Sequence, residues 1–431
     1  MKRLLLKGGR VIDPIQGIDD IMDILIEDGR IKKIGKNLPR GGQKDQKGNT
    51  ADTVDLQGLA AVPGLIDMHT HLREPGFEYK ETVQTGSEAA CAGGFVAIAC
   101  MANTLPVNDN RSVTELILGK AAQTALVRVY PVAAISLALK GETLTEFQDL
   151  KAAGAVAFSD DGKPVQDASL MRRALEYAAS IDMPVISHCE DLNLSAGAMN
   201  EGYAATELGL KGIPGIAEDV MVAREILIAE FTGAPVHIAH VSTAGAVGLL
   251  RDAKKKGIRI TAETAPHYFT LTDDAVREFD TNTKVNPPLR GSEDIQAVKE
   301  GLKDGTIDVI ASDHAPHAVT DKQVEYDYAS SGMVGLETSL SLSLALVAEG
   351  CLSLNDLICK MSVNPARILK VSGGTLAPLA AADITVIDLN KTWKVDASSF
   401  RSRSRNTPFH GRPLQGKAVM TIIGGEIKYR E

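Results

Sequence analysis

The chain begins and ends on short apolar runs punctuated by glycine, and between them apolar runs alternate with longer helix-like stretches. At the start, RLLLKGGRVID, DILIEDGRIKKIG and TVDLQGLAAVPG read as strands whose Gly-Gly and Asp-Gly breaks suit hairpins. Near the end, ADITVIDLNKTWKV and AVMTIIGGEIKYRE read the same way. Two β-rich ends predict one small β-sandwich domain assembled from residues 1–62 and 376–431. The early segment NLPRGGQKDQKGNT is polar throughout and reads as a solvated loop.

The middle carries eight candidate strands: GLIDMHTH, GFVAIACM, VRVYPVAAI, AVAFSDD, PVISHCE, VHIAHVS, IRITAETAP and DVIASDHAP. Between them, SLMRRALEYAAS and DVMVAREILIAEFTG space their apolar residues at the helical period. Such alternation predicts an α/β fold, a (β/α)8 TIM-like barrel over residues 63–375. In that architecture the chemistry gathers at the C-terminal ends of the strands.

Polar residues fall at those ends. His69 and His71 close the first strand, Asp160 and Asp161 the fourth, His188 the fifth and His240 the sixth, while Asp313 and His314 close the eighth. In LIDMHTHLR, side chains two apart share a face, so the two imidazoles reach one point and Arg73 falls on the same parity. A metal wants the imidazoles and an anion wants the guanidinium. A lone histidine is more often a hydrogen-bonded core residue; four histidines and two aspartates at separate strand ends read as a metal site. Nitrogen and carboxylate donors without thiolate point to Zn²⁺, with Mn²⁺ or Co²⁺ as substitutes. Six donors exceed what one tetrahedral zinc with an open position needs, so one or two ions are expected and two are favoured.

Composition narrows the partners. Over 431 residues, 44% hydrophobic and 23% charged, the net charge is −9, with a pI near 5.6. An acidic chain argues against nucleic acid or an anionic membrane as partner. No apolar run approaches membrane-spanning length, and the leucines of MKRLLLKGG are too few for a signal peptide, so a cytoplasmic protein is expected. Five scattered cysteines without a CxxC pair read as reduced, buried thiols.

The ordered set HTHLR, MANT, FSDDG, ISHCED, HIAHVST, ETAPHY, VNPPLR and ASDHAPH resembles the amidohydrolase superfamily and, within it, the type I dihydroorotases, over nearly the whole chain. The resemblance implies one metal on His69, His71 and Asp313, a second on His188 and His240, and Asp161 between them. It places Arg73, Asn103 and His317 on the substrate carboxylate, and Asn286 with the backbone near Ser331 and Gly332 on the ring. Around Ser331 the chain reads YASSGMVG, with a small residue before the glycine where relatives can carry an aromatic. Related dihydropyrimidinases, hydantoinases and allantoinases carry a strand-four lysine that becomes carboxylated. Here Asp161 takes that place, and Lys163, before Pro164, reads as a turn residue. Asp160 faces the other way and reads as a supporting residue.

The activity so implied is the reversible cyclisation of N-carbamoyl-L-aspartate to L-dihydroorotate with loss of water, in pyrimidine (UMP) biosynthesis. Asp313 would take the proton of the attacking oxygen and pass it to the ring nitrogen, one group serving as base and acid. Two rivals remain: a hydrolase of another cyclic amide, and a non-catalytic subunit supporting an aspartate carbamoyltransferase. The first lacks use for a carboxylate pocket, and the second would not need six ligands. A transferase is a possible partner and a homodimer the expected assembly. His237 reads as structural, facing the helices; His267 reads as rim or structural; His410 receives no chemistry. The stretch HAVTDKQVEYDYASSGMVG reads as a lid or a surface loop.

Overall fold

The structure, a computed structural model, describes residues 3–39 and 52–431. Most of the polar segment NLPRGGQKDQKGNT, from residue 40 on, lies outside the described residues. The expected runs at both ends form one eight-stranded sheet. Its N-terminal part contains Arg3–Asp13, Ile18–Glu27, Arg30–Gly35, Asp52–Asp55 and Ala60–Pro63. Its C-terminal part contains Ile384–Lys394, Pro413–Ile423 and Glu426–Arg430. The two parts meet where Ala60–Pro63 pairs antiparallel with Ile384–Lys394, Ala61 opposite Val386.

Hairpin chemistry sets the registers. Glu27 pairs with Arg30 around Asp28 and Gly29, both at positive φ, as an Asp-Gly turn requires. A second hairpin turns through Gly424 and Gly425, and a Cβ on Gly29 would stand 2.8 Å from the Gly424 carbonyl oxygen. The two turns therefore pack glycine on glycine. Leu6, Ile24, Ile26, Ile31, Ile384, Val386 and Ile422 form the apolar layer beneath.

The middle of the chain gives eight parallel strands in chain order. Four are Leu65–Thr70, Phe95–Cys100, Arg128–Ala133 and Ala157–Phe158, and four are Ile186–Ser187, Val236–Ile238, Ile260–Thr264 and Val309–Ile310. All eight candidate runs are present, though several strands are shorter than the apolar runs that announced them. Single parallel bridges, Phe158 to Val185 and Thr70 to His314, join the two four-stranded sheets at both seams. Each strand is followed by a helix, from Val83–Ala92 after the first to Ser339–Ala348 after the eighth. Asp167 caps the helix Ala168–Ser180 by accepting from the Leu170 N–H, and Gly233 at φ 66 ends Ile216–Thr232. Small and apolar side chains such as Met68, Ala99, Val132, Ala157, Ile186 and Val309 fill the space the strands enclose.

Side-chain bonds fix the terminal sheet onto the strands. Arg128 grips Asp383 with both guanidinium nitrogens, at 2.5 and 3.2 Å, and the Thr421 hydroxyl donates to the Cys91 carbonyl at 2.7 Å. Between Ile384–Lys394 and Pro413–Ile423 the chain makes a long excursion in which Ser402, Ser404 and Asn406 are buried while Arg401, Arg403 and Arg405 are exposed. All five cysteines are free thiols, three of them buried. Among the described residues no helix is long and apolar enough to cross a membrane.

Under the fourth strand, Phe147 stacks on Phe158 at 3.9 Å and on Tyr177 at 5.0 Å between ring centroids. Phe158 lies three residues before Asp161, so this stack fixes the strand end that delivers it. Phe147→Ala is expected to lower unfolding stability by about 3–5 kcal/mol, because the ring is fully buried; a denaturant titration measures the change.

Candidate metal centre

Six side chains from five strand ends converge on one buried point. His69 lies in the last turn of the first strand and His71 just beyond it, while Asp161, His188, His240 and Asp313 follow the fourth, fifth, sixth and eighth. All six are buried, none more than 6% exposed. Alternation does not account for all of them, because the strands stop short. His240 at φ 32, Asp313 at φ 47 and Arg73 at φ 61 stand in left-handed backbone, which turns each side chain out of the strand line. Non-glycine residues bear that conformation at a cost, and it concentrates at functional sites.

Asp161 is the centre of the arrangement. Its Oδ1 lies 3.3 Å from His69 Nε2, 3.5 Å from His188 Nδ1 and 3.4 Å from His240 Nε2. Its Oδ2 lies 3.4 Å from His71 Nε2. Asp313 Oδ1 stands 3.5 Å from His71 Nε2 and 3.7 Å from His69 Nε2. Ligands on a tetrahedral ion with bonds of ~2.0–2.1 Å are separated by about 3.3 Å, so these spacings fit donors around a cation. Two groups, His69 with His71 and Asp313, and His69 with Asp161 and His240, bring their donor atoms within 4.8 Å of one another. His69 Nε2 and Asp161 Oδ1 have no hydrogen-bond partner although both are buried, a state that a cation relieves. His188 joins the cluster more closely, its Nδ1 at 2.8 Å from His240 Nε2.

Burial raises a carboxyl pKa, yet at Asp161 the neighbouring His69, His188 and His240 overcome it and hold the group well below its usual range. Asp313 is likewise buried and held low by His71, His69 and His240. Burial opposes protonation of His188, but Asp161 and Glu190 win and raise it to about 10. The field that draws protons onto these imidazoles is the field that draws a divalent cation, and the two compete.

Around the donors stands a ring of partners. His69 Nδ1 meets Glu263 Oε1 at 2.5 Å, His71 Nδ1 meets Asn103 Oδ1 at 2.9 Å, and His188 Nε2 meets Glu190 Oε2 at 3.0 Å. Glu263 and Glu190 were not singled out from the sequence. Glu263 sits inside ETAPHY, where the nearby His267 drew attention instead. Asp67, on the parity of His69, accepts from the His69 and Ser312 amides; its burial lifts it to about 7.

The substrate-side residues line a cavity of about 230 Å³ above the centre. Arg73, Asn103, Asn286, His317, Ser331 and Gly332 all face it, with five of the six metal-type donors; His69 lies beneath. Arg73 Nε donates to the Pro316 carbonyl at 3.2 Å, and its Nη2 stands 3.4 Å from His317 Nε2. His317 Nε2 donates to the Ser331 carbonyl at 2.9 Å, which leaves Nδ1 to face Lys80 Nζ at 3.3 Å. Burial, Arg73 and Lys80 push His317 down to about 2, so it is neutral. Burial also lowers Arg73 to about 10, which leaves it charged. Asn286 Nδ2 donates to Glu190 Oε2 at 3.0 Å.

The terminal sheet's excursion braces one wall of this cavity from behind. Asn406 accepts from the His317 amide at 3.0 Å and donates to the carbonyls of Ala315 at 3.1 Å and Gly332 at 3.0 Å. Nothing in the local sequence around Asn406 signals this role. The stretch after the eighth strand is tied down by Lys322, whose ammonium donates to the carbonyls of Thr281, Lys284 and Ser330. Lys163 is exposed in the turn after Asp161. Asp160 turns away and accepts from the Ile135 and Ser136 amides. His237 lies off the cavity but packs against a polar neighbour, 3.3 Å from Glu263. His267 is buried and lowered to about 4 by that burial; His410 is exposed and accepts from the Ala397 amide.

Known proteins resemble this chain over its whole length. A family model described as dihydro-orotase-like matches residues 58–246. The chain is 62% identical over 430 residues to a dihydroorotase of Syntrophus aciditrophicus, covering 100% of both. It is 56% identical to one of Geobacter metallireducens, covering 99% of each. Among solved structures it resembles an L-hydantoinase (dihydropyrimidinase) from Arthrobacter aurescens, with TM-score 0.88 and 27% identity over 100% of this chain and 96% of that one. A dihydropyrimidinase from Brevibacillus agri, at 22% identity and TM-score 0.86 over 99% and 95% of the two chains, shares the fold.

Gly332 sits at φ 137, and a Cβ there would stand 2.7 Å from the Ala315 Cβ and 2.9 Å from its carbonyl oxygen. Gly332→Ala is expected to lower stability by about 1–3 kcal/mol and displace the His317 wall. Thermal unfolding compared with wild type measures the first effect.

Proposed function

Because the chain belongs to the dihydroorotase family, whose members serve pyrimidine biosynthesis, we propose that it is a type I, zinc-dependent enzyme interconverting N-carbamoyl-L-aspartate and L-dihydroorotate. The observation that carries this reading is one cavity in which His71, His188, His240, Asp161 and Asp313, with His69 beneath, stand beside the charged Arg73. The type I assignment rests on Asp161 at the strand end, with Lys163 out in solvent. In this reading residues 63–375 are a (β/α)8 catalytic barrel, and 1–62 with 376–431 a small β-sandwich domain.

His69, His71 and Asp313 would hold one ion, His188 and His240 a second, with Asp161 shared. Zinc, when bound, supplies a lowered pKa for water and polarisation of the ring carbonyl. The chain's own residues do the rest. Arg73 forks onto the substrate carboxylate, which Asn103 and His317 help to orient, His317 by turning its one N–H from the Ser331 carbonyl to the substrate. Asn286 and the backbone of Ser331 and Gly332 hold the ring. Asp313, ionised and at the cavity floor, takes the proton of the attacking water and delivers it to the leaving ring nitrogen; in cyclisation it takes that proton from the ureido nitrogen.

Hydrolysis of L-dihydroorotate by the purified chain in zinc buffer, with hydantoin and allantoin run beside it, tests the reading. Turnover of dihydroorotate alone is expected. Turnover of hydantoin or allantoin instead would overturn it, and no turnover would point to a chain that needs a transferase partner or only supports one. Asp313→Asn is expected to lower kcat by at least ~100-fold with the fold intact by circular dichroism. Arg73→Ala is expected to raise KM by about tenfold or more, since a charge-assisted pair with the substrate is lost.

A further inference from the structure

Of the four histidines at the centre, two have a carboxylate behind them among the described residues, and both of these meet Asp161 Oδ1. Glu263, 1% exposed on the seventh strand, meets His69 Nδ1 at 2.5 Å. Glu190, just past the fifth strand, meets His188 Nε2 at 3.0 Å. His71 is backed by the neutral Asn103 amide, and His240 Nδ1 has no hydrogen-bond partner among the described residues.

We infer that Glu263 and Glu190 are positioning residues that each secure one of the two metal positions separately, Glu263 through His69 and Glu190 through His188. This rests on the two-ion reading above. Each acid selects a tautomer. A proton on His69 Nδ1, donated to Glu263, leaves Nε2 free toward the centre. A proton on His188 Nε2, donated to Glu190, leaves Nδ1 free, the atom that lies 3.5 Å from Asp161 Oδ1. The two histidines thus present opposite ring nitrogens, and a carboxylate is found behind the correct one in each case. Such partners raise the basicity of a ligating imidazole and fix its ring.

Charge supports the division. Asp161 and Asp313 alone would leave two divalent cations half neutralised in a buried pocket, a costly state. With Glu263 and Glu190, four carboxylates meet four positive charges.

The two acids differ in what else they hold. Both oxygens of Glu263 face histidines, Oε1 His69 and Oε2 His237 at 3.3 Å, and His237 is itself set by the Thr261 hydroxyl at 2.8 Å. Glu190 Oε2 also accepts from Asn286, 3.0 Å away on the cavity wall. Loss of Glu190 therefore disturbs the substrate side, and loss of Glu263 does not.

Zinc titration against a chromophoric chelator, on the metal-free chain and on Glu263→Gln, Glu190→Gln and the double variant, tests this. Two ions are expected for the parent. Each single variant should lose about 10–100-fold in affinity for one ion and keep the other, and the double variant should lose both. At saturating zinc, KM should rise for Glu190→Gln and not for Glu263→Gln. Thermal melting of the metal-free proteins controls for folding; should Glu263→Gln fail to fold, His237→Gln removes only the outer support and should give a smaller loss at the same ion. A parent binding fewer than two ions overturns the two-ion reading and this inference with it. A two-ion parent whose variants keep both affinities, or weaken both ions alike, overturns this inference alone.

Discussion

A carboxylate held away from water must be surrounded by groups that carry or accept positive charge, and Asp161 makes that demand of the whole molecule. Four imidazoles from three other strand ends come within 3.5 Å of it. No continuous stretch of chain could supply them. Only parallel strands that end at one level can, and the bridge from Thr70 to His314 sets the first and eighth ends side by side. The helices that follow each strand cover its outer face, and the donors are buried at the strand ends, which strengthens their electrostatics. The Phe147–Phe158–Tyr177 stack does the same work for the fourth strand, which is two residues long yet carries Asp161.

Much of this was legible in the chain. The eight apolar runs, the Asp-Gly and Gly-Gly turns and the position of each metal-type donor at a run's end follow from periodicity and turn chemistry. Lys163 was readable as a turn residue because Gly162 and Pro164 flank it. Side-chain direction near the ends was less legible. Counting by twos assumes extended backbone, but Arg73, His240 and Asp313 lie at positive φ, so the counted parity is not what aims them. His237 was placed toward the helices by that count, and its contact with Glu263 went unseen. Glu263 itself looked like one acid in an apolar strand, since its partner His69 lies 194 residues away. Asn406 is the extreme case, a residue in an irregular segment whose meaning exists only once the terminal sheet is assembled.

The cavity illustrates how a small pocket distinguishes charge from shape. Three basic side chains, Arg73, Lys80 and His317, crowd within a few ångströms, and mutual repulsion together with burial leaves the histidine neutral. A neutral imidazole has a single N–H to give, here held by the Ser331 carbonyl, whereas the guanidinium supplies the charge. The two functions are therefore divided between residues, and neither has to change protonation when an anion enters.

The excursion that carries Asn406 also bears on how the molecule is made. Synthesis proceeds from the N-terminus, and every metal-type donor has left the ribosome once Asp313 has. The strand Ala60–Pro63 then still lacks its neighbour Ile384–Lys394, and the loop around His317 still lacks Asn406. A nascent chain at that point holds all six metal-type donors but an unfinished wall above them and an open sheet edge beside them. The last part of the polypeptide to emerge closes both at once, so the terminal sheet and the cavity wall are completed by the same late segment.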